Sequence, residues 1–225
     1  MAGVDGCRGG WLAVIGDSPA EAEPQLFASW EDLPLPDLAV VAVDMPIGLA
    51  EQGRRACDLA ARACLPPGRK SSVFATPARG VLGQPDYAAA NAWSKATCGV
   101  GLSKQAWYLT PKIAELDAAL TPALQAKIHE AHPELAFHRL SGGKALPPKR
   151  KPEGKEARRT LLSAAGFVRL DSWLSAFPRA QVQADDLLDA AVLLLTAQRI
   201  VQGTARRLPE DLERDACDLD MAIWV

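Results

Sequence analysis

No apolar run in this chain approaches the ~20 residues that a membrane-spanning helix requires. The N-terminus carries no basic stretch leading into an apolar core and a small-residue cleavage site. Neither a membrane protein nor a secreted precursor is therefore expected, and the chain reads as cytoplasmic. Charge of one sign is not in excess: 25 basic against 27 acidic residues give −2. The chain is no polycation, and contact with nucleic acid would have to come from local patches. Cysteine is scarce and odd in number; Cys7, Cys57, Cys64, Cys98 and Cys217 lie at scattered spacings, which argues against a disulfide framework and for reduced thiols. His129, His132 and His138 are the only histidines; they form no HExxH pattern and have no cysteine nearby, so a zinc site is disfavoured. The stretch "PPGRKSSVF" lacks the GxxxxGK[ST] spacing of a P-loop. There is no internal repeat and no low-complexity tract.

What is present suits one compact domain over residues 1–225. Nearly half the chain, 48%, is hydrophobic, enough to bury a sizeable core. "AGVDGC" and "WLAVIGD" are short apolar runs joined by Arg8-Gly9-Gly10, a hairpin-type turn, and "PQLFASW" is a third candidate strand. "LAVVAVD" is continuously apolar and β-branched, the pattern of a central strand buried on both faces. A helix follows in "RRACDLAARACL", with Ala56, Leu59, Ala60 and Ala63 on one face. After a loop over 66–86, helices are predicted over 86–96 and 103–119, with Pro111 a potential kink. "PALQAKIHEA" reads as another helix and "ELAFHRL" as a strand, with Pro133 opening an extended segment. Helix returns near 153–165 and again in "ADDLLDAAVLLLTAQRIVQG", which starts at Asp185 or Asp186 and stops at Gly203. The tail "MAIWV" suits a short strand or an arm. A meander followed by crossovers predicts an α/β fold, a mixed sheet flanked by helices.

Two of the apolar strands end in aspartate, Asp5 in "GVDG" and Asp44 in "VAVDMPIG". Open α/β sheets gather their ligands at the C-terminal ends of strands. If these strands are parallel neighbours, a spacing of ~4.8 Å brings the two carboxylates together. The last helix adds Asp186 and Asp189, three residues apart and on one face. Carboxylates that converge on a half-buried site either raise their pKa values or recruit a cation, and an oxygen-only donor set favours Mg²⁺ or Mn²⁺. Two such ions ~4 Å apart suit phosphodiester hydrolysis. A strand-end aspartate serves more often as a turn former, and Asp185 or Asp186 is a natural helix cap; the combination and order of the four acids favour a site.

The segments "GVDGCRGGW", "VDMPIGL", "RRACDLAAR", "SSVFATPAR", "HPELAF" and "DDLLDAAVLLLTA" resemble the landmarks of the DUF429 family, a group of predicted nucleases with a ribonuclease H-like fold. "DLLDAA" also resembles the closing helix of RuvC-type Holliday-junction resolvases. The resemblance implies a ribonuclease H-like domain with a helical insertion over about 52–130, between the fourth and fifth strands. It implies Asp5 as the first-strand acid, Asp44 as the fourth-strand acid (Glu in the resolvases), and Asp186 and Asp189 as the C-terminal pair, all four holding a Mg²⁺ or Mn²⁺ pair. Glu134 reads either as a surface acid or as an additional acid at the site's margin, and the resemblance favours the latter.

Basic residues cluster twice. Residues 139–159 hold eight Lys and Arg against two Glu, a local +6, and include Lys149, Arg150 and Lys151. Arg54, Arg55, Arg62, Arg69 and Lys70 are opposed by Asp58 alone. Such runs are usually solvated surface; beside an acidic site, Arg54, Arg55, Arg69, Lys70, Lys149, Arg150 and Lys151 are candidates for phosphate contact. The expected function is a divalent-metal-dependent nuclease acting on nucleic acid, with a homodimer admitted as its assembly. The alternatives are a non-catalytic nucleic-acid-binding or scaffold protein on the same fold and, from "DGCRGG", an actin-like phosphotransferase relative.

Overall fold

In the computed structural model, which describes residues 1–225, the first three apolar runs form an antiparallel meander. It comprises β1 (Ala2–Cys7), β2 (Gly10–Ile15) and β3 (Glu23–Phe27). Next come β4 (Val41–Val43), α1 (Ala56–Cys64), α2 (Tyr87–Cys98), α3 (Lys104–Ala119), α4 (Pro122–Gln125), β5 (Ile128–Glu130) and α5 (Pro133–Leu140). The chain closes with α6 (Pro152–Ala164), α7 (Leu170–Trp173), α8 (Ala184–Val201), β6 (Arg207–Arg214) and β7 (Asp220–Trp224). It divides into two units, one of residues 1–44, 127–206 and 224–225, the other of residues 45–126 and 207–223.

The first unit is built on a five-stranded mixed sheet in the order β3-β2-β1-β4-β5, with β4 parallel to both β1 and β5. β4 is buried along its whole length, which is why its sequence shows no polar alternation. One sheet face gathers Cys7, Leu12, Val14 and Ala42 into the core with Phe137, Leu162, Phe167 and the buried stretch of α8. Residues 187–197 of α8 are all buried, so this helix is apolar all round rather than amphipathic. Its approach depends on Gly3. A Cβ at that position would lie 2.2 Å from both the Ala190 carbonyl oxygen and the Leu194 nitrogen, so α8 rests directly on the β1 backbone.

Two elements differ from the sequence expectation, and they exchange roles. The segment 122–131, expected as a helix, gives only the short α4 before it extends into β5. The segment 134–140, expected as a strand, is helix α5. The His132 side chain accepts the Glu134 N–H through Nδ1 at 3.1 Å, and Pro133 occupies the first helical position, where its missing N–H costs nothing. His132 thus caps a strand-to-helix turn, the reverse of the order expected.

In the second unit α1 buries Cys57, Asp58 and Ala61 and leaves Leu59 48% exposed. The buried face is therefore not the Ala56–Leu59–Ala60–Ala63 face. Asp58 turns inward to meet Arg55 at 2.5 Å and the Thr76 N–H at 3.1 Å. Arg55 also donates to the Ile47 and Gly48 carbonyls. Arg79 bridges Asp117 at 2.6 Å and Asp215 at 2.5 Å. β6 and β7 form a separate two-stranded sheet.

Helix α3 continues through Pro111. Proline has no N–H to give the Trp107 carbonyl four residues earlier, and the Thr110 hydroxyl donates to that oxygen instead, at 2.7 Å. Thr110→Val should therefore lower stability by ~1 kcal/mol, or ~3 °C in melting temperature for a chain of this size, while Thr110→Ser should melt like wild type. Equal melting of Thr110→Val and wild type would remove the hydroxyl from this role.

Candidate functional site

Asp5 lies on β1 and Asp44 directly follows β4. The parallel register pairs Val4 with Val43, and the Asp44 N–H donates to the Val4 carbonyl at 2.9 Å. Asp5 is thus within β1, two residues before its end rather than at it as expected, and the register sets it beside Asp44 of the neighbouring strand. The period of two puts Asp5 on the face of Gly3 and Cys7, and Asp44 on the face of Ala42, which is the α8 face. Because Gly3 lets α8 settle onto β1 at Ala190 and Leu194, the preceding residue, Asp189, arrives beside them. One carboxylate oxygen from each of Asp5, Asp44 and Asp189 lies within 4.8 Å of the others. Asp5 and Asp189 are buried and Asp44 partly so.

Burial sets the electrostatics. Desolvation pushes the Asp5 carboxyl well above its ordinary range, and Asp44, Asp189 and Asp186 push it further. Desolvation likewise raises Asp44 to about 7, against the pull of Lys149 and with help from Glu134. Asp189 rises to about 6 for the same leading reason, again opposed by Lys149. Crowding like charges in a poorly solvated site makes ionisation costly unless a cation is present.

Asp186 stands apart from this trio. Its carboxylate accepts the Gln183 N–H at 2.8 Å, and Gln183 is the N-cap of α8, so neither Asp185 nor Asp186 begins the helix. Burial still raises the Asp186 pKa. Glu134, in the first turn of α5, is buried rather than on the surface. It pairs with Arg158 at 2.5 Å and acts as a neighbouring negative charge on Asp44 and Asp189.

Sequence reasoning did not foresee the part taken by Lys149. Its ammonium sits 2.8 Å from Asp189 Oδ2, and the surrounding acids hold its pKa up against the effect of burial. The segment that carries it is anchored: Arg158, itself 1% exposed, donates to the Pro147 carbonyl at 3.0 Å and to the Gly154 carbonyl. A Cβ on Gly154 would lie 2.1 Å from the Pro148 oxygen, so the turn packs tightly on the start of α6. The basic stretch 139–159 is thus not uniformly solvated: Arg158 is interior, Lys149 is paired, and Arg150 and Lys151 are exposed. Among the basic candidates of the second unit, Arg54 and Lys70 are exposed and Arg69 partly buried. Arg55 is buried in its pair with Asp58 and faces no phosphate. A buried cation needs a buried partner, and Asp58 three residues on supplies it.

The glycines of the β1–β2 turn serve packing. The Gly9 N–H donates to the Gln181 carbonyl at 2.9 Å, and a Cβ on Gly10, whose φ is +128°, would lie 2.0 Å from the Phe27 oxygen. Taken together, the three converging carboxylates are hard oxygen donors with no nitrogen or sulfur among them, a set that fits Mg²⁺ or Mn²⁺.

No curated protein and no solved structure matches the chain significantly. A family model described as "Protein of unknown function (DUF429)" matches residues 3–214, a span that includes Asp5, Asp44, Glu134, Lys149 and Asp189. The chain belongs to the DUF429 family.

Proposed function

We propose that the first unit is a ribonuclease H-like domain and that the protein is a divalent-metal-dependent nuclease. The observation that carries this reading is the convergence within 4.8 Å of three carboxylates from β1, the end of β4 and α8. A strand order of 3-2-1-4-5, with acids on adjacent parallel strands and on the closing helix, supports the same reading. Asp5, Asp44 and Asp189 would hold Mg²⁺ or Mn²⁺, which when bound supplies a Lewis acid for charge developing on a phosphodiester. Gly3 sets the depth of α8 and so the position of Asp189. The Glu134–Arg158 pair braces α5 against α6 behind the cluster. Exposed Arg150 and Lys151, next to Lys149 in the chain, suit the phosphate backbone of a nucleic-acid substrate. The close packing of Gly9 and Gly10 favours this assignment over a phosphate-cradling glycine turn of the actin-like kind.

The test is a cleavage screen over single-stranded, duplex and branched DNA and RNA in Mg²⁺ and in Mn²⁺. Wild type should cleave at least one form, and Asp5→Asn should lose at least ~100-fold, since even outer-shell changes at metal sites cost 10–100-fold. Equal rates for the two proteins would assign any cleavage to a contaminant. Binding without cleavage in any form would support the non-catalytic nucleic-acid-binding reading instead.

A further inference from the structure

The acidic cluster already holds a cation, and that cation belongs to the chain. Lys149 Nζ lies 2.8 Å from Asp189 Oδ2, delivered by a turn that Arg158 and Gly154 fix from below. We propose that Lys149 occupies the place of a second metal ion, so that the site takes one divalent cation beside a resident ammonium. This rests on the metal-site reading above and narrows it from two ions to one.

Charge balance favours it. Three carboxylates and one ammonium leave a formal −2, which a single divalent ion cancels. Of the other acids nearby, Glu134 is matched by the buried Arg158, and Asp186, whose carboxylate accepts the Gln183 N–H, keeps its charge but stands outside the trio that converges within 4.8 Å. A second divalent ion would bring the site to +2 while Lys149 remained on Asp189, next to carboxylates of which two are buried. Anchoring matters as much as charge. A lysine on a free loop would yield its place readily, whereas this one follows a backbone held at Pro147 by Arg158 and packed at Pro148 against Gly154, both residues of α6. Its flexible four-carbon stem still allows the ammonium to settle against the carboxylate. Asp5 and Asp44, which lie away from the ammonium's hydrogen bond, remain to take the ion with the other face of Asp189.

Mn²⁺ titration followed by calorimetry and by electron paramagnetic resonance tests this. Wild type should bind one Mn²⁺ and give the spectrum of an isolated ion. Lys149→Met should bind two and give the exchange-coupled spectrum of a close pair, and Lys149→Arg, which keeps a cation, should bind one. Two coupled Mn²⁺ in wild type would overturn the inference and leave the metal site standing, as would a single Mn²⁺ in Lys149→Met. Binding in Lys149→Met but none in wild type would also overturn it, because the ammonium would then compete for the first place. No Mn²⁺ in either protein would remove the metal-site reading itself. Should Lys149→Met fail to fold, the wild-type spectrum decides: an isolated ion supports the assignment and a coupled pair ends it.

Discussion

Gly3→Ala is expected to destabilise the protein by ~3 kcal/mol or more, since the added Cβ has no free space. It would meet the Ala190 oxygen and the Leu194 nitrogen at 2.2 Å and the Leu193 carbonyl carbon at 2.6 Å. These are backbone atoms of a helix with a fully buried middle, so no rotamer change relieves the overlap and α8 must lift from β1. The loss corresponds to a fall of ~10 °C in melting temperature for a chain of this size. Gly83→Ala is the control: a Cβ there meets nothing within 4 Å and its φ is not positive, so it should melt within ~2 °C of wild type. Lifting α8 also withdraws Asp189 from Asp5 and Asp44, so whatever Gly3→Ala protein folds should show no stabilisation by Mn²⁺. Melting of Gly3→Ala alongside the control would mean that α8 does not rest on this strand.

In a metal-free buffer the melting temperature should fall as pH rises from 5 to 8. The sign follows from the acids of the cluster. The folded pKa values of Asp5, Asp44 and Asp189 are raised, so the folded chain binds protons that the unfolded chain has released. Their contribution is present at low pH and is lost as pH climbs through about 6 for Asp189 and about 7 for Asp44. A tenfold difference in proton affinity between the folded and unfolded chain corresponds to ~1.4 kcal/mol at full expression, so a decline of at least ~5 °C is expected. Mn²⁺ at 100-fold over its dissociation constant should restore ~2.7 kcal/mol at pH 8 by mass action. Asp5→Asn removes one of the three charges, so its metal-free profile should be flatter and its response to Mn²⁺ small. A flat wild-type profile in chelator, or identical Mn²⁺ increments in the two proteins, would contradict the assignment of these carboxylates.

The three converging acids were legible in the sequence because each stands where an apolar run stops or starts. Asp5 lies two residues before the end of β1 and Asp44 directly follows β4, strands whose hydrophobicity is plain, and Asp189 precedes the longest apolar stretch of a helix too apolar to lie anywhere but on the sheet. Asp186 carried the same signal, yet its carboxylate was taken by the Gln183 N–H, a contact on which spacing is silent. Helix α5 was misread because "ELAFHRL" alternates over too few residues to separate a period of two from one of 3.6; a capping imidazole and a proline decided it. The role of Lys149 has no sequence signature, since charge in an aperiodic stretch says nothing of direction. Arg158, nine residues on, turns it inward by holding the Pro147 carbonyl. Arg55 was legible in part: an acid three residues later on a helix is the spacing of an ion pair, but composition does not tell a buried pair from a solvated one.

The trio comes from residues 5, 44 and 189 of a 225-residue chain. During synthesis, at ~5–20 residues per second, the first two are made within seconds, and the third follows only after most of the polypeptide has emerged. Until α8 arrives, the sheet face around Gly3, Leu12, Val14 and Ala42 has no lid, and the growing polypeptide carries an uncovered apolar surface. Completion of the acidic cluster and burial of that surface are therefore one event. A ribosomal product that stops short of residue 184 would possess neither the acidic trio nor a closed core, and would present itself to chaperones and proteases as unfinished.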